Sequence, residues 1–341
     1  MGTDQTMLPI AIDAMGGDKA PATTVKGAIR AFRAGIPVLL VGDEARLRPL
    51  LPKGVDVPIH HAASAVGMDE SPSAAVRAKK DASVRVAARC VAEGKASAVV
   101  SFGNTGALMA ACLMELGRIE GVERPAVLTT LPRSDGGQLV VLDLGANVDC
   151  KPSHLGQFGV MGHVFARDVL HIEAPRVGLL SNGEEESKGN EQVRAALPVL
   201  AAMPIQFVGP VEPTDALSGG CEVVVCDGFV GNVMLKSVEA AIKVAGVVLK
   251  EEILRRPDAK LGGRLLRGAF RRYKARTSAS GIGGAHLVGV EGTVLVGHGG
   301  ADARAVHAAI SRAHAAVEEG LTAHIGEAIS ATLVRSQQDD T

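Results

Sequence analysis

Six short segments combine glycine with residues that can bind or move charge. They are Asp13-Ala14-Met15-Gly16-Gly17-Asp18, Gly103-Asn104-Thr105-Gly106, Asp143-Leu144-Gly145-Ala146-Asn147, the stretch from Asn182 to Asn190 that holds Lys188, Asp227 to Asn232, and His298-Gly299-Gly300-Ala301-Asp302. Gly103 to Gly106 opens a helical pattern. Backbone N–H groups at a helix start are unpaired and lie at the positive end of the dipole, so they favour phosphate. The same residues would also serve a tight turn that needs only glycine and an Asn cap. Asp143 to Asp149 carries two carboxylates and an amide, a composition compatible with Mg²⁺. Lys188 follows three acids, Glu184 to Glu186, which points to a neutralised polar network and away from a dedicated metal site. Lys188 is the cationic candidate for holding phosphate or polarising a carbonyl. Asp227 and Asn232 stand beside it as carboxylate and amide, and His298 and Asp302 leave an acid/base or anion-binding role open. Cys226 follows an apolar run and is expected in the core, because a reactive thiol wants an electropositive, accessible setting. The other histidines show no metal-ligand pattern.

No G-x-S-x-G elbow, P-loop, zinc spacing or dinucleotide fingerprint is present. The chemistry left is direct transfer on a positioned small anion, with neither covalent nucleophile, bound metal nor cofactor.

Such groups need a scaffold. Strand-like runs precede most of the segments: Leu8–Ile12, Ala98–Ser101, Leu139–Leu142, Val177–Leu180, Glu222–Cys226 and Thr293–Val296. Helical patterns follow them, among them 71–93 (with Ser71-Pro72 as its start), 106–117, 191–202, 232–254 and 302–319. Alternation along nearly the whole chain predicts a three-layer α/β/α sandwich in one catalytic domain spanning 1–341, with a frayed tail at 330–341. In an open parallel sheet the loops at the carboxyl ends of strands share one crevice, so all six segments are expected around a single site.

Composition narrows the choices. The 341 residues are 47% hydrophobic but hold one Tyr, seven Phe and no Trp. The core is therefore built from Ala, Val, Leu and Ile, and base stacking on aromatic platforms, hence nucleic acid, is not expected. Five cysteines without CxxC spacing read as reduced thiols. An amino terminus without an apolar signal core, and no run of spanning length, predict a cytoplasmic protein.

The formal charge of −1 conceals a basic segment, because Lys250 to Arg276 contains ten Lys or Arg against three acids. This insertion, 250–280, is predicted to be helical and amphipathic. On one helix over 261–274, Leu261, Leu265, Leu266, Ala269, Phe270 and Tyr273 fall on one half of the circumference, opposite Lys260, Arg264, Arg267, Arg271 and Lys274, with Arg272 the exception. The pattern suits an anionic membrane surface. It also suits a dimer contact or an acidic protein partner.

Taken together, the stretches 11–18, 99–109, 142–149, 183–190 and 226–232, with Asp69-Glu70-Ser71-Pro72 and Arg124-Pro125-Ala126, resemble the bacterial phosphate acyltransferase family. The resemblance covers about Ile10 to Ala316. It implies transfer of a long acyl chain from acyl carrier protein to inorganic phosphate, giving the acyl phosphate that a downstream membrane acyltransferase consumes in phospholipid synthesis. It also implies a homodimer and a fold similar to isocitrate and isopropylmalate dehydrogenases and phosphotransacetylases. Since an acyl phosphate partitions poorly into water, the basic segment is expected to attach the protein peripherally to the inner face of the cell membrane. The catalytic residues expected are Lys188, Asn232 and Asp227. Substrate-binding positions are Asp13, Gly16, Gly17, Asn104, Thr105, Gly106, Asn147, Asn190 and His298. Leu261, Arg264, Leu265, Leu266, Arg267, Phe270 and Arg271 are expected to meet membrane or carrier protein. Three places depart from the family pattern: Ile282 replaces a usual Tyr, His286 a usual Pro, and Gly300-Ala301 small hydroxyl residues. A metal- and NAD-dependent decarboxylating dehydrogenase of similar fold is the alternative, although its arginine cluster and carboxylate triad do not stand out.

Overall fold

The computed structural model describes residues 7–339 except 256 and 278–283. One eleven-stranded sheet runs through it. Its strands are β1 (Ile10–Asp13), β2 (Val38–Gly42), β3 (Ile59–His61), β4 (Ala98–Ser101), β5 (Ala126–Pro132), β6 (Gln138–Leu142), β7 (Arg176–Leu180), β8 (Gln206–Val211), β9 (Val223–Val225), β10 (Ala285–Val288) and β11 (Thr293–Val296). Their order is β3-β2-β1-β4-β11-β10-β5-β6-β9-β7-β8. Strands such as β1, β4 and β9 are buried at every residue, as apolar strands covered on both faces must be.

The helices are α1 (Ala22–Arg33), α2 (Glu44–Leu47), α3 (Pro72–Ala78), α4 (Ser83–Ala92), α5 (Thr105–Glu115), α6 (Pro152–Asp168), α7 (Glu191–Ala202), α8 (Pro213–Ser218), α9 (Gly228–Arg255), α10 (Pro257–Leu265), α11 (Arg267–Thr277), α12 (Ala303–Glu318) and α13 (Leu321–Asp339). Successive strand residues point to opposite faces. Thus Ile10 and Ile12 pack with Val25 of α1 and Ile310 of α12, while Ala11 and Val99 join Val84 of α4 and Leu108 of α5. On the other half of the sheet, Val140 and Leu142 meet Phe158 of α6, Leu200 of α7 and Ile325 of α13. The α/β/α sandwich expected from alternation is the architecture observed.

The sheet is mixed, and that changes where the glycine segments lie. β2, β1, β4 and β11 run parallel, but β10 is antiparallel to both β11 and β5, and β6 is antiparallel to β5. β9, β7 and β8 follow the direction of β6. The carboxyl ends of β1, β4 and β11 therefore leave one end of the sheet, and those of β6, β7 and β9 leave the other. The expectation of one crevice shared by all six segments rested on a wholly parallel sheet. The pairing places them at two ends of the sheet, although Leu144 of one group and Thr105 and His298 of the other line one cavity.

Other elements also differ from expectation. The helix predicted over 71–93 is two helices, α3 and α4, separated at 79–82. Lys79 turns back to bond Glu70 and the Ala65 carbonyl, and the break lets Ser83 begin a new helix directed at Asp13. Beyond Gly320, whose φ of +63° ends α12, α13 buries Leu321, Ile325 and Ile329 at a four-residue spacing. The chain thus continues as helix past the expected end at Glu319. The single helix predicted over 261–274 is divided at Leu266 into α10 and α11, where Gly262, Gly263 and Gly268 weaken helical propensity. Hydrogen bonds still cross the break, from Leu266 N–H to Gly262 O and from Phe270 N–H to Leu266 O. Leu261, Leu265, Leu266 and Tyr273 are exposed, together with Arg264, Arg267 and Arg271. Among the described residues no helix is long and apolar enough to cross a membrane.

Candidate active site

The first corner is built where β1, β4 and β11 end. Asp13, the last residue of β1, is 2% exposed. Burial raises its pKa, while hydrogen bonds from Ser101, Ser83 and the Met15 amide oppose that rise. Ser83 Oγ donates to Asp13 Oδ1 and Ser101 Oγ to Asp13 Oδ2, each over 2.6 Å. Gly16 faces Gly103 so closely that a Cβ there would lie 2.5 Å from Asp13 Oδ2 and 2.8 Å from Gly103 N. Only glycine allows that approach. Asp18 N–H donates to Gly299 O over 2.9 Å and joins the third loop to the first.

Asn104 caps α5: its Oδ1 accepts from Ala107 N–H, and its Nδ2 donates to the carbonyls of Met68 and Glu70. Thr105 is the first residue of that helix, and Gly106 lies against the Pro72 ring. His298 Nδ1 accepts from Gly300 N–H over 3.0 Å, which leaves Nε2 to carry the proton in the neutral ring. Asp302 caps α12 through the Arg304 and Ala305 amides, and these bonds lower its pKa.

A cavity of about 410 Å³ opens beside this corner. Phe102, Val127, Leu144, Leu235, Ala285 and Val296 give it apolar walls, and Thr105, His298, Asp302, Lys236 and Glu239 its polar lining. Lys236 pairs with Glu239 at 3.3 Å. His286 alternates with Ala285 and faces away from the cavity, edge-on to Phe165 at 4.9 Å. Burial, aided by the Arg312 charge, pushes its pKa down to about 3. Ile282 lies outside the described residues.

The second corner lies at the carboxyl ends of β6, β7 and β9. Asp143 is fully buried and accepts from the amides of Val127, Gly145, Ala146 and Asn147 and from Asn147 Nδ2. Burial raises its pKa against those bonds. Asn147 is otherwise committed to Pro125 O, and its own carbonyl accepts from Gly228 N–H at 2.7 Å. Asp227 accepts from Val230 N–H in the first turn of α9. A Cβ at Gly231 would collide with Asp143 O, and Asn232 lies beside Gly145. Asn190 caps α7, while Lys188 donates its backbone N–H to Glu185 O and extends its side chain over Gly183. Gln192 Nε2 donates to Cys150 O and ties α7 to the 147–150 loop.

Asp13, Gly16, Gly17, Asn104, Thr105, Gly106 and His298 thus gather at the first corner. Lys188, Asn190, Asn147, Asp227 and Asn232 gather at the second. Cys226 is buried in the core, as expected. Sequence reasoning missed Ser83, Ser101, Thr129, Lys236 and Glu239. Ser101 could have been found as a lone hydroxyl closing an apolar strand, and Lys236 as the residue one helical turn beyond Asn232. Nothing local marks Ser83.

Residues 8–324 match the family model described as fatty acid synthesis protein. The chain is 49% identical over 326 residues to the phosphate acyltransferase of Trichlorobacter lovleyi, covering 94% of each chain.

The chain belongs to the phosphate acyltransferase family.

A second family member, the phosphate acyltransferase of Geobacter sulfurreducens, is 48% identical over 323 residues, covering 93% of both chains. The fold is shared more widely. A phosphotransacetylase from Streptococcus pyogenes superposes with a TM-score of 0.61 at 18% identity, covering 91% of this chain and 94% of that one. A branched-chain phosphotransacylase from Enterococcus faecalis gives 0.57 at 15% identity, covering 91% and 99%. The dehydrogenase alternative is not favoured by these relatives. This family member is an acyltransferase, and the resemblance of its motifs pointed to that family.

Proposed function

We propose that this enzyme moves a long-chain acyl group from acyl carrier protein to inorganic phosphate at the first corner. A phosphate oxygen attacks the thioester carbonyl carbon, the C–S bond breaks, and the carrier thiolate takes up the proton lost from phosphate. Phosphate is already a competent nucleophile, so orientation and oxyanion stabilisation are what the protein must supply. The observation that carries this reading is the meeting of the Gly16 and Gly103 backbones just before α5, with Gly299 against Gly17 and Asp18, on the rim of an apolar cavity. Amides at that helix start suit phosphate or a developing oxyanion. Thr105 and His298 line the cavity at the same place and are proposed to bind substrate.

Lys188, Asp227 and Asn232 are proposed to act from the second corner. Asp227 fixes the start of α9, Asn232 leads one turn on to Lys236 in the cavity wall, and Lys188 supplies a cation. The exposed apolar and basic surface of α10 and α11 is proposed to hold the enzyme against an anionic membrane, where a poorly water-soluble acyl phosphate can reach the next acyltransferase. Acyl carrier protein is proposed to dock on the same arginines, and the active form to be a homodimer. The deciding assay supplies palmitoyl carrier protein and phosphate, without nucleotide. Acyl phosphate should accumulate with release of carrier thiol, and its absence would overturn the reading.

A further inference from the structure

The cavity has a direction. Val296 of β11 pairs with Ala285 of β10, and the register of β10 with β5 sets Ala285 beside Thr129. These three form a row across its floor, just inside Thr105 and His298. Thr129 spends its hydroxyl on Gly284 O, at 3.3 Å, and so adds no unpaired polar group. Two residues back along β5, a step of about 7 Å at the rise of a strand, Val127 accepts from Leu144 N–H. Leu144 lines the cavity and is only 7% exposed. A largely apolar trough that starts at the glycine-rich first corner has the form needed by an apolar chain with a reactive head.

Building on the acyl-transfer reading, we propose that Ala285 and Leu144 set the length of acyl chain the enzyme accepts. The thioester lies at the Thr105 and His298 end, the chain crosses the row at Ala285, and Leu144 closes the inner end. A larger side chain at 285 then obstructs every chain long enough to cross the row and spares only the shortest, whereas a smaller one at 144 deepens the trough.

Two measurements test this on Ala285→Leu and Leu144→Ala, each first shown to melt cooperatively. With palmitoyl and butyryl carrier protein as donors, Ala285→Leu should lose about tenfold or more in kcat/KM for palmitoyl while butyryl changes little, in line with the discrimination a few methylenes provide. Leu144→Ala should shift preference toward stearoyl. Equal losses on both donors, or none, would overturn the proposal. The second measurement is binding of the fluorescent fatty acid cis-parinaric acid, which needs neither phosphate nor carrier protein. Ala285→Leu should weaken it. If Leu265→Glu on α10 removes the signal and Ala285→Leu does not, the chain sits on the exposed helices and the proposal fails. A wild-type protein that binds the probe but makes no acyl phosphate would sink the acyl-transfer reading and leave the cavity assignment standing.

Discussion

The Ser101 hydroxyl bridges Asp13 and the backbone of Gly103: it donates to Asp13 Oδ2 over 2.6 Å and accepts from Gly103 N–H over 3.1 Å. One hydroxyl thus fixes a buried carboxylate at the end of β1 and the first glycine after β4. Ser101→Ala removes one partner of the buried Asp13 carboxylate and the hydroxyl that accepts from Gly103 N–H, a loss of about 1–3 kcal/mol. Urea unfolding should show that loss, with kcat falling as the corner loosens. Unchanged stability would mean that the bridge is not formed.

Lys188→Ala should lower kcat/KM about a hundredfold or more, as loss of a fixed charge stabiliser does, with the fold intact by circular dichroism. Near-normal turnover would remove Lys188 from the mechanism.

Acid should weaken the sheet at Glu222. Burial disfavours its charge, but bonds from Arg176 and Arg133 outweigh that and hold its pKa at about 2. A depressed folded pKa contributes stability above the unfolded value, near 4.5, and loses it as pH falls toward about 2. Arg176→Gln should raise the folded value and move the acid-unfolding midpoint upward. A midpoint that stays in place would show that other carboxylates govern acid stability.

Leu266→Glu with Phe270→Glu should abolish sedimentation with anionic vesicles while sparing turnover of soluble substrate, since apolar insertion and about 1 kcal/mol per nearby basic residue both act there. Continued vesicle binding, or collapse of an oligomer in ultracentrifugation, would make these helices structural.

Treatment with a chelator should leave activity unchanged, because phosphate needs no metal to become a nucleophile. Restoration of a lost activity by Mg²⁺ alone would refute this.

The local chemistry was legible in the sequence and the long-range pairing was not. Asn104, Asn190 and Asp302 were visible as polar residues before helical patterns, and each caps a helix. Strand direction left no such trace. Buried strands look alike whichever way they run, so Leu139–Leu142 could not reveal that β6 opposes β5, nor that Lys188 and Asn104 belong to different corners. β10 escaped notice because it is only four residues long and interrupted by a histidine, and its place in the sheet depends on β5, more than a hundred residues away, as well as on the adjacent β11.

Glu239 on α9 and Gly284 before β10 line the same cavity, although the whole basic excursion lies between them. From Glu239 to Arg255 the helix carries the chain about 24 Å at its usual rise, so cutting the excursion at 256 would leave a long apolar stub. Cutting at its two roots would not. The insertion is anchored at neighbouring points, and a short loop from Glu239 to Gly284 is the natural splice for separating what the appendage contributes from what the core does alone.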